Sequence, residues 1–580
     1  MITYTTVDYS DIFSGEKPTI EQLLEGINSK IVIVLMAMIN AELTDERDIE
    51  EVQKRLTLYL MRQLNSNDAE FIFRKLKEFE SRVKGPISLW GKRYVLELMK
   101  KVFLNYKETD RIDNTPEETL RMFKAYLVVA EELNEKDRME LTTTTENMPD
   151  NDPFFFEKLV WPFVLAQFNT NERVNPISQL FRLLAFINHA NTHEELLQSW
   201  KRFILKNGFE STRAYLGSVN FLINVAQRRF PEKKDLKVFS WITASELPKH
   251  LKNLAFDPKM FSADIRKQVD YLGMREKPLF ETSENEFVTL DLDFLTNKVY
   301  NGPLFDMYNE TDMATDTQFK SFADFKGYIA TEVSEKIIFK GILKKLFDKR
   351  HIKIQFDDEG KDKIPDCYIR WGKRIFIIEF KDYLFPGKLV DKYSFNEIKD
   401  HIDLKFIKNE KGKNKGISQI VEQLKILSSD KFDFDKFSEK NVKVYPIIIH
   451  TNFAYQMPGI NHYLNNEFRR LISEKLTDAD LQIEDLVLFD LDILFEFLQI
   501  QGMDLNLLED LLKRYYGILE NRAKRFQQIS SQNNFVRARA SFDEIFITIM
   551  GQDLKDLPVP RRVSAFLDSI GISDEKLEAY

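Results

Sequence analysis

Hydrophobic residues recur every three or four positions through most of the first 310 residues, with Glu and Lys between them. This spacing predicts amphipathic helices, each with one buried face. The stretches 19–43 and 192–209 show it most clearly. Each begins with a threonine followed by acidic residues, as helix starts commonly do. We therefore predict a mostly α-helical N-terminal half.

Two stretches interrupt the helical pattern of this half. Residues 142–153 are polar and turn-rich, which predicts a boundary between a helical subdomain at 1–145 and another at 153–310. Residues 278–295 predict a short hairpin at the end of the second subdomain. The sequence shows no repeat of fixed period, although a degenerate helical array stays open.

The hydrophobic pattern changes after about residue 316, where one long amphipathic helix is followed by short apolar runs typical of strands. Trp371 and Gly372 form the tight connection of a hairpin, and a polar, lysine-rich insertion occupies 382–415. The predicted order is helix, three strands, helix, strand, helix, strand, at 322–350, 352–356, 364–370, 373–381, 416–427, 442–450, 465–476 and 485–490.

This order predicts a central mixed sheet flanked by helices in a domain at 316–500, followed by a helical C-terminal extension at 501–580. The fold class is therefore α+β and multi-domain. A length of 580 residues agrees, because it exceeds the usual size of a single domain. An apolar share of 43% allows cores large enough for such domains.

Cysteine usage and apolar run lengths indicate the cellular compartment. The single cysteine, Cys367, excludes an internal disulfide framework and a cysteine-rich zinc site. No signal-peptide pattern is visible, and the apolar run at 31–39 is too short to span a bilayer. We expect a soluble cytoplasmic protein without a membrane partner.

Charge is distributed unevenly along the chain. The net charge of −9 argues weakly against a nucleic-acid partner, but Lys and Arg outnumber Asp and Glu between residues 320 and 430. Phosphate contacts need basic residues clustered locally, not a basic protein overall. The local excess therefore favours a polyanion partner for this segment.

Three charged residues, Asp366, Glu379 and Lys381, lie in or beside strands that are otherwise apolar. Residues two apart on a strand share a face, so Glu379 and Lys381 project together, and Asp366 lies on the face opposite Cys367. If the strands pair, the two carboxylates converge and repel unless a proton or a cation lies between them. Oxygen ligands without nearby Cys or His favour Mg²⁺ or Mn²⁺ over zinc.

The motif Pro365-Asp366, twelve residues, then Glu379-Phe380-Lys381 resembles the PD-(D/E)xK superfamily of nucleases, which have the restriction-endonuclease-like fold. The resemblance covers roughly residues 320–500 and includes the order of elements. It implies metal-assisted phosphodiester hydrolysis, in which Asp366, Glu379 and the Phe380 backbone carbonyl hold Mg²⁺ or Mn²⁺. It also implies that Lys381 orients or helps to activate the attacking water.

The resemblance implies two further site residues on the flanking helices. Members often supply an acid from the helix before the sheet; Glu332 and Glu335 both qualify, and Glu335 is preferred because it precedes an apolar helical pattern. Glu335 would ligate the metal directly or through water. Many members place a Gln on the helix after the lysine strand, which favours Gln419 as a group that positions the phosphate or the metal-bound water. Gln423, where the common pattern has Tyr, is a departure.

By this resemblance we expect a nuclease, with DNA as the favoured substrate, in bacterial restriction or antiphage defence, with the helical half as sensor or regulator. A homodimer or larger assembly, or a partner protein bound through the helical half, is expected by analogy. Two alternatives stay open: a catalytically silent nucleic-acid-binding or assembly protein that keeps the fold, and a nuclease subunit of a transposition or repair complex. In either nuclease hypothesis the chemistry resides in residues 316–500.

Two basic stretches are further candidates for nucleic-acid contact. One is a Lys- and Gly-rich loop at 409–416, and the other lies near the C-terminus, where basic residues alternate with Phe526 and Phe535 and predict binding by charge and stacking. An ordinary solvated helix face explains the second stretch equally well. The basic residues concerned are Lys411, Lys413, Lys415, Arg522, Lys524, Arg525, Arg537 and Arg539.

Overall fold

The computed structural model describes most of the chain between residues 5 and 572. The residues that it does not describe are 1–4, 45–48, 84–86, 110–112, 150–151, 169, 171–173, 227–240, 244–247, 261–270, 358–363, 391, 430–434, 438–440, 477–480, 527–530, 556–558 and 573–580. Within the described part, helices dominate both ends of the chain and a six-stranded mixed sheet lies in the C-terminal half, which confirms the α+β class.

The N-terminal helices pack around α7, a helix of 31 residues. Its start is fixed by Pro116 in the first turn and by a capping box in which Thr115 and Glu118 bond to each other's backbone N–H. The apolar faces of α3, α6 and α7 form one hydrophobic core. The elements here are β1 Thr5–Thr6, α1 Tyr9–Ile12, α2 Ile20–Leu24, α3 Ser29–Leu43, α4 Ile49–Gln63, α5 Ser66–Arg82, β2 Ile87–Ser88, α6 Lys92–Leu104 and α7 Pro116–Glu146.

The predicted boundary at 142–153 is shorter than expected, because α7 continues to Glu146. The threonines of this polar stretch keep helical backbone geometry, and the Thr145 hydroxyl donates to the Leu141 carbonyl at 3.1 Å. The helix ends at Asn147, where polar and turn-forming residues follow.

The helices after this boundary are α8 Phe155–Phe168, α9 Pro176–Ala190, α10 Glu194–Lys206, α11 Thr212–Ala226, α12 Pro248–Asn253, α13 Leu272–Glu276, α14 Leu292–Asn297, α15 Asn301–Glu310 and α16 Met313–Asp316. Apolar residues of α8 belong to the core on one face of the large sheet, and those of α9, α10 and α15 to the core on the other. The hydrophobic cores therefore do not divide at residue 310, because the sheet is covered by helices from the middle of the chain.

The hairpin predicted at 278–295 is confirmed. It consists of β4 Leu279–Ser283 and β5 Glu286–Thr289, and β5 also pairs with β3 Trp241–Thr243. Asn285 occupies the turn with a φ of 60°, a left-handed conformation that Asn tolerates better than most residues. Phe280 and Val288 anchor the hairpin in the core of the N-terminal helices.

The long helix predicted from residue 322 is confirmed as one continuous helical stretch of three parts. These are α17 Phe322–Ile329, a π-helical segment Ala330–Phe339 and α18 Lys340–Phe347. A π-helix is rare, and where one interrupts an α-helix it is frequently at a functional site. The π-helical segment lies in the middle of this stretch and carries both candidate helix acids, Glu332 and Glu335.

The large sheet contains β6 Lys353–Phe356, β7 Cys367–Trp371, β8 Arg374–Lys381, β9 Lys443–His450, β10 Gln482–Ile483 and β11 Val487–Asp490. Its order is β10-β9-β8-β7-β6, and β11 pairs with β9 on the same side as β10. Strands β6, β7 and β8 are antiparallel, whereas β8, β9 and β11 run parallel. The carboxyl ends of three parallel strands therefore meet at one edge.

Period-two alternation separates the faces of this sheet as expected. Cys367, Phe376 and Ile378 pack into one core, while Tyr368 and Ile377 pack into the other. Helices α20 Gly416–Leu427 and α21 Ile460–Lys475 cover the second face, as the predicted element order requires.

The insertion predicted at 382–415 contains a helix that was not predicted, α19 Phe395–Phe406. Ser394 caps it, and Phe395, Ile398 and Ile402 form a buried apolar stripe at helical spacing. Polar and charged residues stand between these positions and hide the stripe in a reading by composition alone.

The C-terminal extension is helical, as predicted. Its helices are α23 Leu505–Arg525, α24 Gln532–Ala538, α25 Phe542–Lys555 and α26 Val559–Ser569, and the short α22 Leu491–Phe497 precedes them. Leu508 and Tyr515 of α23 belong to the same core as β8, so the extension packs directly on the sheet domain. Among all the helices that the structure describes, none combines the length and the apolar character needed to cross a bilayer.

Candidate functional site

The predicted acids and lysine meet at the carboxyl end of β8. Cys367 of β7 pairs with Ile378 of β8 in antiparallel register, so Asp366, one residue before β7, lies opposite Glu379. The Asp366 carboxylate accepts a hydrogen bond from the Phe380 backbone N–H at 2.7 Å. This bond fixes the loop end that precedes β7 against the end of β8.

Lys381 bridges the two acids. Its Nζ lies 2.7 Å from Glu379 Oε2 and 3.5 Å from Asp366 Oδ2. The side chain of Glu379 is only 1% exposed, while that of Asp366 is 21% exposed and provides the side open to solvent. Two carboxylates and one ammonium group thus share a small volume that is buried on the Glu379 side.

The pKa values of Glu379 and Lys381 are both raised, but for different reasons. Burial, reinforced by the nearby Asp366 carboxylate, raises the pKa of Glu379 to about 7 although Lys381 and Gln423 oppose the rise. Burial disfavours the charged form of Lys381, but Glu379 and Asp366 outweigh it and raise the pKa of the lysine above its usual value. The site therefore needs positive charge beyond Lys381 if both acids are to ionise near neutral pH.

Glu335 is directed to this cluster, and Glu332 is not. Burial raises the pKa of Glu335 to about 6, and the next largest cause is the Asp366 carboxylate. Lys340 lies 3.7 Å from the Glu335 carboxylate, whereas Glu332 pairs with Lys336 at 2.6 Å. The electrostatic interaction between the Glu335 and Asp366 carboxylates thus favours Glu335 as the helix acid.

The two glutamines on α20 have different positions from those expected. Gln423 is buried, and its Nε2 donates a hydrogen bond to Glu379 Oε1. Gln419 Oε1 instead accepts from the Gly416 backbone N–H at 2.9 Å, at the start of its own helix. The glutamine that sequence reasoning set aside as a departure is therefore the one that contacts the acids, because it lies one helical turn deeper under β8.

Further polar groups extend the site along the carboxyl edge of the sheet. His450 of β9 stands beside Lys381 in register, and Asp490 of β11 beside His450. His450 Nδ1 lies 3.3 Å from Asp490 Oδ2, and the Asp543 carboxylate accepts from the Asp490 backbone N–H at 3.0 Å. The sequence pattern did not group these residues, because the partners of a strand end depend on the tertiary fold.

The donor set is suited to a hard divalent cation. Asp366 and Glu379 supply carboxylate oxygens, and Phe380 lies between Glu379 and Lys381 with a backbone carbonyl that sequence reasoning assigned to the metal. Mg²⁺ is bound in many proteins by one or two carboxylates and keeps several waters. Among the described residues, no three His, Cys, Asp or Glu side chains form a closed metal-binding group. The arrangement fits a cation that is held mainly by two acids and water.

The loop at 409–416 presents its lysines toward solvent. Lys411 and Lys413 are exposed, and Asn409 folds the loop by accepting from both of their backbone N–H groups at 3.1 and 2.9 Å. Lys415 directly precedes α20 and is partly buried. A lysine-bearing loop therefore leads into the helix that carries Gln423.

The C-terminal basic stretch does not have the arrangement predicted for base stacking. Phe535 is 2% exposed and stacks on Phe156 with ring centroids 5.7 Å apart, so it is not available to a nucleobase. Lys524 pairs with Glu520 at 2.7 Å, and burial lowers the pKa of the half-buried Arg539. Arg522 and Arg525 lie on α23 and Arg537 on α24, and Arg522 donates to the Arg537 backbone carbonyl at 3.1 Å. Phe526 beside them is partly buried, so of the two predicted aromatic residues only Phe535 is excluded from stacking.

Comparisons with models of known protein families, with curated proteins and with solved structures find no match for this chain. The geometry of the site is therefore the basis for a functional conclusion. Two acids and a lysine converge at the carboxyl end of a parallel strand, the edge at which open α/β sheets bind ligands. Such a cluster is able to hold a hard cation and to stabilise negative charge beside it.

Proposed function

We propose that this protein is a metal-dependent nuclease that hydrolyses phosphodiester bonds, with DNA as the favoured substrate. The observation that supports it most strongly is the convergence of Asp366 and Glu379 on Lys381, with Glu335 and Gln423 around them. Two carboxylates beside solvent suit Mg²⁺, which is usually bound by one or two carboxylates and several waters. The local excess of basic residues agrees with a polyanionic substrate.

Asp366, Glu379 and the Phe380 carbonyl would hold Mg²⁺ or Mn²⁺. When bound, the ion lowers the pKa of a coordinated water and neutralises charge on the phosphoryl oxygens. Lys381 stays protonated because its pKa is raised, so it orients the water and stabilises the transition-state charge without acting as a base. Glu335, with a pKa of about 6, is suited to accept a proton at neutral pH.

The helical half is proposed to sense or regulate, and one contact supports this role. Tyr393, in the segment that follows β8, accepts a hydrogen bond from Arg93 of α6 at 2.6 Å and donates to Asp137 of α7 at 2.7 Å. The segment that leaves the site is thus attached to the N-terminal helices. A role in restriction or antiphage defence, where cleavage must await a trigger, would use such a link.

A second function is supported by a different observation. Lys381 already neutralises part of the charge of Asp366 and Glu379, as expected in a nucleic-acid-binding or assembly protein that has lost catalysis. The two proposals differ in whether metal and substrate displace this ion pairing.

Cleavage assays distinguish them. Purified protein is incubated with supercoiled plasmid, linear DNA and RNA, in Mg²⁺, Mn²⁺ or EDTA, beside Asp366→Ala and Lys381→Ala. We expect metal-dependent cleavage that falls about a hundredfold or more in both variants, because each removes a group that stabilises transition-state charge. Cleavage that persists unchanged in either variant contradicts the site assignment, and nucleic-acid binding without cleavage supports the silent alternative.

A further inference from the structure

Asp382, the residue after Lys381, has a buried carboxylate with three donors. Its side chain is 4% exposed. Oδ2 accepts from Lys326 Nζ at 2.7 Å and from the Ser334 hydroxyl at 2.8 Å, and Oδ1 accepts from the Thr451 hydroxyl at 2.6 Å. Sequence reasoning gave no role to Asp382, because its donors come from two distant parts of the chain, the long helix at 322–347 and the end of β9.

Two of the three donors lie beside a residue of the candidate site or its edge. Ser334 directly precedes Glu335 in the π-helical segment, and Thr451 follows His450 at the end of β9. Asp382 itself continues the backbone from Lys381. One carboxylate therefore ties the helix that carries Glu335 and the ends of two parallel strands to a common point.

Three donors hold the Asp382 carboxylate, and one of them, Lys326, forms an ion pair with it at 2.7 Å. Lys326 is itself largely buried, with a side chain that is 15% exposed. An ion pair with directed hydrogen bonds gives the junction a fixed geometry that a neutral side chain would give less well.

We infer that Asp382 is a positioning residue, which holds Lys381 and Glu335 at a fixed separation for the reaction. The inference rests on the proposed nuclease function. Asp382 does not contact the acids of the site, so it acts through the backbone of β8 and through Ser334. Misplacement of a reacting group by about 1 Å can lower a rate a hundredfold, so a loosened junction reduces turnover even when substrate still binds.

Asp435 offers a matched control for a purely structural role. Its side chain is also 4% exposed, and it accepts from the Tyr368 hydroxyl and from Arg370 Nη2, both at 2.9 Å. Arg370 pairs in register with Ile375, near the opposite end of β8 from Lys381. Asp435 thus anchors the same sheet at a distance from the site.

The experiment compares Asp382→Asn with Asp435→Asn in the full-length protein. Asn keeps the size of the side chain and an accepting oxygen while it removes the charge that Lys326 or Arg370 requires. Both variants are expected to lower the melting temperature. Only Asp382→Asn is expected to lower kcat for plasmid cleavage in Mg²⁺, by about ten- to a hundredfold with little change in KM, as for residues that support metal ligands.

Amide hydrogen exchange gives a readout that does not depend on activity. Exchange in segments 330–339 and 379–383 is expected to rise in Asp382→Asn and to stay at the wild-type level in Asp435→Asn. Wild-type kcat in Asp382→Asn, an equal loss in both variants, or unchanged exchange would overturn the inference. If the wild-type protein cleaves no nucleic acid, the proposed function fails, and the exchange comparison alone decides the positioning role.

Discussion

Glu379 has two side-chain partners, Lys381 and Gln423, and they keep a nearly inaccessible carboxylate in place. If Gln423 becomes Leu, Glu379 Oε1 loses its donor and the pKa of Glu379 rises further, so less of the ionised form is available to a metal. We expect Gln423→Leu to lower metal-dependent cleavage by about ten- to a hundredfold.

Gln419→Leu provides the comparison on the same helix. It removes only the bond to the Gly416 N–H, so we expect it to cost about 1 kcal/mol of stability and to leave cleavage intact. Steady-state rates and urea unfolding of both variants check this pair. A larger loss of activity in Gln419→Leu than in Gln423→Leu would reverse the assignment.

Asp543 is a buried acid whose charge is costly. Burial raises its pKa to about 7, and the Asp490 carboxylate adds to the rise. A pKa above that of the unfolded chain means that the protonated form stabilises the fold. This stability is complete below the unfolded pKa, near 4, and is lost as pH rises through about 7.

Asp543→Asn removes the ionisable carboxyl group, and with it the loss of folding stability as pH rises. We expect the unfolding free energy of the variant, relative to wild type, to improve by a few kcal/mol between pH 5 and pH 8, since one pKa unit corresponds to about 1.4 kcal/mol. Urea unfolding at both pH values in EDTA measures it. A difference between the two proteins that does not change with pH would contradict the raised pKa.

At the residue level, the convergence of Asp366, Glu379 and Lys381 was predictable, because strand alternation and hairpin pairing are local rules. The contacts of Gln423 and Asp382 were not predictable, since they depend on which helix lies under β8 and on which hydroxyl groups reach the end of that strand. The preference for Glu335 over Glu332 also came from the sequence, and its proximity to Asp366 agrees with that preference.

At the level of elements, the sequence pattern predicted the long helix, the strands β6 to β9 and the helix that carries Gln423. The pattern did not predict α19, because the polar and charged residues between its apolar positions give the segment the composition of a loop, and composition was weighed above periodicity. It also did not predict the π-helical segment at 330–339. The side-chain pattern does not distinguish a π-helical from an α-helical segment. The two kinds of helix nevertheless direct a side chain such as that of Glu335 differently.

For the whole molecule, hydrophobic cores join parts of the chain that sequence reasoning had separated. Helices α8 and α24 pack on one face of the sheet, and α9, α23, α25 and α26 pack on the other. Linear composition does not show this, because each helix has the same amphipathic pattern whichever partner it covers. A domain limited to 316–500 would lose part of the helical cover on each face of its sheet.

Tyr393 is the contact through which the N-terminal helices are expected to influence the site. Its φ of 48° is unusual for a residue other than glycine, and Arg93 and Asp137 hold its hydroxyl. Tyr393→Phe keeps the ring and frees the segment. We expect faster hydrogen exchange in residues 383–394 and a change in cleavage rate of about fivefold or more, the usual lower range of coupling between sites.

Tyr94→Phe is a matched control for this variant. The Tyr94 hydroxyl donates to Asn134 at 2.7 Å, so it joins α6 to α7 without touching the segment after β8. We expect it to change neither exchange in that segment nor cleavage. Equal effects of the two variants, or none from Tyr393→Phe, would contradict a regulatory link through Tyr393.

The proposed chemistry requires that Asp366 and Glu379 hold a divalent cation beside Lys381. Calorimetric titration of Mn²⁺ into the full-length protein tests it without need of a substrate or trigger. We expect saturable binding with release of protons, because the ligands must be deprotonated, and its loss in Asp366→Asn but not in Asp435→Asn. Absence of saturable binding in the wild-type protein, or equal affinity in Asp366→Asn, would contradict the account.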